Sequence, residues 1–442
     1  MLSSSLQKHH FTPAMTLDRK RLAEIADWAA VAVAVSLPWS TSATSILIIV
    51  WLLSALATVD VATARRTIET AAGALPVLLW LLAAAGMLWA EVPWAERLDG
   101  LGGFNRLLTI PLLLAQFRRS DNGAWVLYGF FASCVILMLV SWIIVLDPEL
   151  VWWHRSNPAF GVPVKDTISQ STLFLICVFA LSWRACDSLR EGNWQIAAGL
   201  ALLAVLFLIN LVFIALSRAD VVAFPFLVLL LGWRQLQWKG AILTCVAGIG
   251  LAAVSWTASP YLRDRLTQAF HDVQIYRVTH AHNDVGDHVE FLKKSMTFVR
   301  SAPLIGHGTG SIADLFRRSA AGETGAGAVA SVNPHNQIFA VAIQLGLFGT
   351  VVLLAMWIAH YLLFHMAGFA AWMGTVVVVE NVISSLTSSH LFDFMHGWLY
   401  VFGVGVVGGM MLRHNSAAPA DREAVPSPLS AGVNAKSAGK FF

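Results

Sequence analysis

The residues best suited to chemistry lie in the run Asn333-Pro334-His335-Asn336, between a long polar segment and an apolar one. At the N-terminus of a helix the dipole disfavours a protonated imidazole, and an apolar setting adds to that effect. A neutral imidazole can accept a proton near physiological pH. The position therefore favours a general base at His335, although a lone histidine is more often structural. Asn336 could cap the helix or bind a substrate hydroxyl group.

A second candidate is Arg218, in the short turn Leu216–Asp220 between two apolar runs. One interpretation is an arginine that reaches out to the lipid headgroups. The other is an anion ligand, because the planar guanidinium matches the oxygens of a phosphate. Asp220 would then orient Arg218.

Other polar residues are weaker candidates for substrate binding. Arg265 has acidic and basic neighbours, and surface ion pairing is the simpler interpretation of its spacing. His288 and Arg300 belong to a basic amphipathic segment, which is typical of attraction to anionic lipid and would also gather an anionic substrate. Four further candidates border other apolar runs: Arg155, Lys165, Gln170 and His390.

Neither a metal site nor a covalent triad is indicated. His335 has no Ser or Cys partner at a recognisable spacing, and the His, Asp and Glu residues show no metal-ligand frame. The cysteines lie in or beside apolar runs, which is typical of small core residues: Cys134, Cys177, Cys186 and Cys245. We therefore predict no metal and no cofactor, with arginines neutralising a leaving group.

The composition decides what kind of scaffold must position these residues. The chain has 442 residues, of which 57% are hydrophobic and 12% charged, whereas a soluble domain carries about 25% charged residues. So much apolar surface predicts an all-α polytopic integral membrane protein in a phospholipid bilayer. A net charge of +3 is too small to indicate a nucleic-acid partner.

Runs of about 20 apolar residues predict about twelve transmembrane helices. They are 22–38, 43–59, 72–90, 99–116, 123–146, 168–186, 193–213, 219–233, 239–257, 336–359, 366–386 and 394–412. Because Lys and Arg fall in alternate short loops and the number is even, both termini are predicted to be cytoplasmic.

This topology divides the chain into five parts. Residues 1–21 form a cytoplasmic N-terminus, 22–257 the first nine helices, 258–335 an outer loop, 336–412 the last three helices, and 413–442 a disordered cytoplasmic tail. The outer loop shows helical spacing at 261–276 and 288–300, and then a short helix at 311–319. It therefore predicts a small helical cap between helices 9 and 10, with a mobile Gly/Ala stretch at 320–330.

Three motifs in order resemble the O-antigen ligase and polymerase superfamily. His335-Asn336 is followed after nine residues by Gly346-Leu-Phe-Gly349, the ligase pattern in full. Pro303–Gly310 resembles the family's glycine turn, and Leu216–Ala219 resembles its Ser-Arg corner. The resemblance runs from about Leu200 to Phe402 and implies a GT-C-like glycosyltransferase architecture.

Two positions depart from the family's pattern. Val222 stands where the ligases usually have leucine after the corner arginine. His288 stands where many relatives have an arginine, so the resemblance leaves Arg265 as the second phosphate-binding arginine.

The resemblance implies an O-antigen ligase of the bacterial inner membrane, working at the periplasmic face. Such an enzyme transfers a finished polysaccharide from undecaprenyl pyrophosphate to a sugar hydroxyl of lipid A-core. His335 would be the general base, and Arg218 and Arg265 would bind the pyrophosphate without a metal. Direct displacement would invert the anomeric carbon.

Three alternatives stay open. A polymerase of the same superfamily would more typically show two sizeable outer loops, and a protein O-oligosaccharyltransferase shares the architecture. A transporter or flippase would distribute polar residues along several spans. Here the polar residues concentrate at span ends and in outer loops, which favours the ligase.

Overall fold

The computed structural model describes residues 18–147, 161–215 and 217–417, and their regular structure is helical. The α-helices are α1 (Arg19–Ser36), α2 (Thr41–Thr58), α3 (Val61–Ile68), α4 (Ala71–Gly86), α5 (Trp94–Asn105), α6 (Thr109–Phe117), α7 (Gly123–Leu146), α8 (Thr167–Arg190), α9 (Trp194–Phe213), α10 (Arg218–Ala258), α11 (Pro260–Thr279), α12 (Asp284–Ser301), α13 (Ile312–Ala320), α14 (Gln337–Leu363), α15 (Phe369–Ser384) and α16 (Phe394–Ala417).

The described helices confirm a polytopic membrane protein but not the full count of twelve spans. Seven are long and apolar enough to cross a membrane, namely α2, α7, α8, α9, α10, α14 and α16. The pair α3 and α4, bent by 86°, would make an eighth, and α15 is apolar but shorter. The predicted span 99–116 is divided between α5 and α6 by a short 3-10 helix at Arg106–Leu108.

Helix α10 contains two of the predicted spans. Its backbone leaves helical geometry at Leu236 and Gln237, where Gln237 has a φ of 55°. A Cβ built at Gly248 lies 3.8 Å from Val228, so the second half of α10 folds back along the first half. Each half has the length expected of one span, 219–233 and 239–257.

An apolar core joins the helices of the bundle. Helix α16 packs on α6 and α15, α14 packs on α4, and α8 packs on α9. Large aromatic side chains are fully buried between them, among them Trp51, Phe104, Trp372 and Tyr400. Burying such rings is strongly favourable, which holds the bundle together beneath the outer loop.

The segment predicted to be an outer loop is helical, and its helices α11, α12 and α13 are here called the cap. Helices α12 and α13 pack on the beginning of α14 through Phe291, Phe298 and Phe316. The Gly/Ala stretch predicted to be mobile instead contains a 3-10 helix at Gly325–Ala328. Ala326 is fully buried, and its N–H donates to the carbonyl of His280 at 3.0 Å. This bond fastens the stretch to His280 at the end of α11.

Candidate active site

His335 lies at a strained turn directly before α14. Its φ is 53°, in the left-handed region that is uncommon for residues other than glycine. The His335 N–H donates to Asn333 Oδ1 at 2.8 Å, and Ser389 Oγ donates to the same oxygen at 2.7 Å. Asn333 thus ties the turn to the loop before α16. An asparagine two residues before the histidine is the local signal for such a turn, and the sequence prediction did not use it.

The His335 ring faces the cap. It stacks on Phe291 with ring centroids 5.5 Å apart and an angle of 15°, and the His288 ring lies 4.8 Å away. Burial lowers the pKa of His335, and the nearby charge of His288 lowers it further. The imidazole is therefore neutral at neutral pH, which is the form that accepts a proton.

Asn336 has a structural role in this arrangement. Its Oδ1 accepts the N–H of Phe339 at 3.1 Å, which caps α14, and its Nδ2 donates to the carbonyl of Leu386 at 2.9 Å. Each end of the amide makes one such bond, so the capping interpretation fits, and a substrate hydroxyl could use only the second N–H or the second lone pair.

The family glycines position the first turns of α14. Gly346 has a φ of 61°, so the helix kinks there. A Cβ at this position would overlap the carbonyl of Leu304 in the glycine turn. The Leu347 N–H donates to the Pro303 carbonyl at 2.8 Å, and the His307 N–H donates to Ile343 at 2.8 Å. The glycine turn therefore supports the part of α14 that follows His335.

Arg218 reaches the same end of the molecule. It begins α10, and its Nη2 lies 3.5 Å from Asp284 Oδ2 at the first residue of α12. One turn along α12, His288 Nδ1 lies 2.7 Å from the Asp284 carbonyl oxygen. Arg218, His288 and His335 are thus brought together, and sequence reasoning missed the residue that joins them, Asp284.

Asp220 does not orient Arg218, contrary to the prediction. Its side chain is 1% exposed. It accepts hydrogen bonds from Ser217 Oγ at 2.6 Å and Thr172 Oγ1 at 3.3 Å. The acid acts on Arg218 only indirectly, by fixing Ser217, which caps α10. A buried carboxylate is costly unless it is hydrogen bonded, which explains why it turns inward to these hydroxyls.

Several predicted residues lie away from this group. Arg300 lies at the other end of α12, roughly 18 Å from His288 at 1.5 Å per residue. Gln170 is buried and donates to Asn210 Oδ1 at 3.1 Å and to Ser141 Oγ at 3.2 Å, between helices α7, α8 and α9. These contacts give Gln170 a structural role.

Lys165 and His390 are also held by the protein. Lys165 donates to the Leu37 carbonyl, and burial lowers its pKa to about 8. His390 is 2% exposed and bonds to Ser384 Oγ at 2.7 Å. Burial and the neighbouring His396 lower the pKa of His390 to about 3. Arg155 lies outside the described residues, and so does the side chain of Arg265 in α11.

A cleft of about 470 Å³ opens on the other side of the His335 turn. Asn333 and Pro334 form one wall, and the carboxylates of Glu96, Asp99 and Asp393 are among the other groups that line the cleft. Burial alone would raise the pKa of Asp393, but hydrogen bonding to His396 lowers it, so this group is charged. The sequence did not reveal this cleft because its walls come from α5, the turn and the loop before α16.

Below Arg218 an apolar cavity of about 380 Å³ lies between α8, α9 and the two halves of α10. Its lining is almost entirely aliphatic and aromatic, including Leu175, Leu211, Phe224 and Ile249. Such a lining is suited to a hydrocarbon chain rather than to a sugar.

Polar groups without partners lie inside the bundle beneath the loop before α16. Within the described ranges, Glu380 Oε1, Asn381 Oδ1 and His396 Nε2 are buried and have no hydrogen-bond partner. Within the same ranges no set of three His, Cys, Asp or Glu side chains is placed to hold a metal ion.

Comparison with known proteins agrees with the motifs. Residues 202–354 match the family model described as O-antigen ligase. The matched part runs from α9 into α14 and includes Arg218, the whole cap and His335. A search of curated proteins found no match. The long apolar helices make the chain a multi-pass membrane protein, and its residues 202–354 are similar to the O-antigen ligase family.

Proposed function

We propose that the protein transfers a polysaccharide from undecaprenyl pyrophosphate to a sugar hydroxyl of lipid A-core at the periplasmic face of the inner membrane. The observation that carries the proposal is the meeting of Arg218, His288 and His335 at one end of the helices, inside the segment that matches the ligase family. An anion ligand and a neutral base at one site are what this transfer requires.

The donor binds on the cap side of the turn. Arg218 stands at the top of α10, and the apolar cavity runs along that helix beneath it. A lipid pyrophosphate has the same layout, a doubly charged head on a hydrocarbon chain. Arg218 would release Asp284 and bind the phosphates instead, and Arg265 is the proposed second phosphate-binding arginine.

The acceptor binds on the cleft side of the turn. The cleft ends at Asn333 and Pro334, next to His335, and its carboxylates can accept hydrogen bonds from sugar hydroxyls. Its volume of about 470 Å³ falls in the usual range for small-ligand sites. Donor and acceptor would therefore approach the turn from opposite sides, and the acceptor hydroxyl would pass Pro334 to reach the His335 ring on the cap side.

The transfer itself is a single displacement. His335 takes the proton of the acceptor hydroxyl as its oxygen bonds to the anomeric carbon of the donor. The bond from that carbon to the pyrophosphate oxygen breaks, and the phosphates leave on the carrier lipid with their charge stabilised by the arginines. Attack from the side opposite the leaving group inverts the anomeric carbon.

Purified protein, given labelled lipid-pyrophosphate polysaccharide and lipid A-core, tests the proposal directly. We expect label to move to lipid A-core on a gel, with unchanged rate after chelator treatment. Label that elongates on the carrier instead would identify a polymerase, and label on protein a protein O-oligosaccharyltransferase. A rate abolished by the chelator would refute the metal-free part.

Deleting the gene separates the same alternatives in cells. Loss of a ligase leaves long polymer on the carrier and bare core, whereas loss of a polymerase leaves core capped by a single repeat. A transporter would move the substrate across a membrane without forming a new bond. The purified protein in the labelling assay would then transfer no label.

A further inference from the structure

A third cavity, of about 260 Å³, lies behind the glycine turn and is distinct from both the cleft and the apolar cavity. Its lining includes the polar and aromatic side chains of Trp89, Glu91, His307, Ser311, Asp314 and Arg318. We propose that this pocket, here called the turn pocket, binds a neutral sugar ring of a saccharide substrate away from the reacting centre. The inference rests on the proposed function for the identity of the saccharide.

The pocket is built on a rigid frame. Thr309 Oγ1 donates to the Ala83 carbonyl at 2.6 Å, and the Thr309 N–H donates to Gly86 at 3.1 Å, which fastens the glycine turn to the end of α4. The Gly308 N–H donates to Gln344 at 2.9 Å, which fastens it to α14. Gly308 has a φ of 88° and approaches Ala90 too closely for a Cβ. A preformed frame lowers the entropy cost of binding a ligand.

Two donors in the lining lack acceptors. Ser311 is 3% exposed, and its Oγ has no hydrogen-bond partner in the described part of the chain. The indole Nε1 of Trp89 is likewise buried and unpaired there. A buried polar group without a partner is costly, so a hydroxylated ligand that reaches these atoms would relieve a penalty already present. The Trp89 ring also offers an apolar face for the C–H surface of a sugar.

The charges in the turn pocket favour a neutral ligand over an anion. Asp314 accepts from Arg317 and Arg318, each at 2.6 Å, so the guanidinium of Arg318 is already neutralised and held in place. Glu91 has neither an ion pair nor a hydrogen bond with any described residue, and its carboxylate can accept hydroxyl protons. The pocket thus combines donors, a free acceptor and an aromatic surface without excess positive charge.

The position of the turn pocket connects it to the proposed acceptor cleft. Ser311, Asp314 and Leu315 line the pocket, whereas Gly310, Ile312 and Ala313 line the cleft. The two cavities therefore flank the first turn of α13. A saccharide whose reacting end lies in the cleft can place a more distant ring in the turn pocket.

The experiment measures saccharide binding in the full-length protein carrying His335→Ala, so that no transfer occurs. Two labelled probes are used: core oligosaccharide freed of lipid A, and O-polysaccharide freed of its carrier. We expect Trp89→Ala to weaken binding of one probe about tenfold and Ser311→Ala about threefold. The probe that responds identifies the source of the sugar ring. The control is Trp94→Ala, a 60% exposed tryptophan outside the pocket, which should leave binding unchanged.

If the Trp89 and Ser311 variants bind each probe with the same affinity as the Trp94 control, the inference is overturned. Equal losses in the Trp94 control and in the pocket variants would overturn it too, because the effect would then be general. Ser311→Ala removes one atom, so a binding loss in that variant cannot be ascribed to misfolding. The assay does not need catalysis: if no ligation is found but the binding depends on Trp89, the turn pocket stands and the ligase proposal fails.

Discussion

The two sides of the His335 turn differ in charge and in origin. On the cap side, Arg218 and His288 stand near the beginnings of two helices and present a guanidinium group and an imidazole. On the cleft side, Asp99 and Asp393 come from α5 and from the loop before α16 and present carboxylates. One turn separates the two surfaces. Under the proposed function, the pyrophosphate of the donor would meet the side with Arg218, and the acceptor hydroxyl would meet the side with the carboxylates.

The largest effect is expected where the two sides meet. His335→Ala should lower the turnover rate by about 10²–10⁴-fold, the usual contribution of a general base, with little change in either KM. His365→Ala is the matched control, an exposed-loop histidine that bonds to the Leu362 carbonyl at the far end of α14. Ligation of labelled polymer to lipid A-core measures both. Near-normal turnover in the His335 variant would show that His335 is not the general base.

Removing the positive charge on the cap side should affect only the donor. Arg218→Ala is expected to raise the KM for the lipid-pyrophosphate donor about tenfold to a hundredfold, because a hydrogen bond to a charged group contributes about 1.5–3 kcal/mol. The KM for lipid A-core should stay within about twofold. Arg300→Ala, a basic residue at the distant end of α12, is the control and should change neither. A loss confined to the acceptor KM would reverse the assignment of the two sides.

Removing a carboxylate on the cleft side should give the opposite pattern. Asp99→Asn is expected to raise the acceptor KM about threefold to tenfold and to leave the donor KM unchanged, because Asp99 has no partner among the described residues to lose. Glu69→Gln, which opens an exposed pair with Arg65, serves as the control. Equal acceptor KM values in the two variants would contradict the cleft as the acceptor site.

The turn between the two sides can be loosened directly. Asn333→Ala removes the oxygen that accepts from His335 and Ser389, and it should lower turnover about fivefold, since one such bond contributes about 1 kcal/mol. Asn333→Asp keeps that oxygen and should restore most of the rate. If Asn333→Asp and Asn333→Ala lower the turnover rate equally, the hydrogen bond from His335 to this side chain does not position His335.

The smallest effect concerns the pH profile. Burial lowers the pKa of His335, and the electrostatic effect of His288 lowers it further. Protonation of His335 abolishes its role as a base, so activity falls on the acid side as the pH passes its pKa. Replacing His288 with Asn removes the electrostatic effect and raises that pKa, so the acid limb should move to higher pH. An unchanged limb, measured across a pH series of initial rates, would show that His288 does not act on His335.

The sequence predicted the cap because amphipathic spacing is a local property. Helices expected at 261–276 and 288–300 are present as α11 and α12. The full count of twelve spans is not confirmed, because apolar content does not report where a helix breaks. Residues 99–116 are apolar enough to suggest a span, but the chain is divided there, and Arg106 donates to the carbonyl groups of Phe392 and Asp393.

The candidate site was predicted only in part, for a similar reason. His335 and Arg218 follow from their positions at the ends of apolar runs. Gln170 and His390 occupy similar positions, but their side chains turn inward to Asn210 and Ser384. Which polar side chain faces a substrate depends on neighbours far along the chain, and spacing does not contain that information.

By itself the sequence determined that this chain is a helical membrane protein with a polar cap and a histidine at the junction, because hydrophobic runs and motif order are local. Only the tertiary structure decided what surrounds the histidine. Asn333 bonds to Ser389, 56 residues away, and Arg218 meets Asp284, 66 residues away. Contacts at such separations form when helices pack, so the opposite charges on the two sides of His335 exist only in the folded protein.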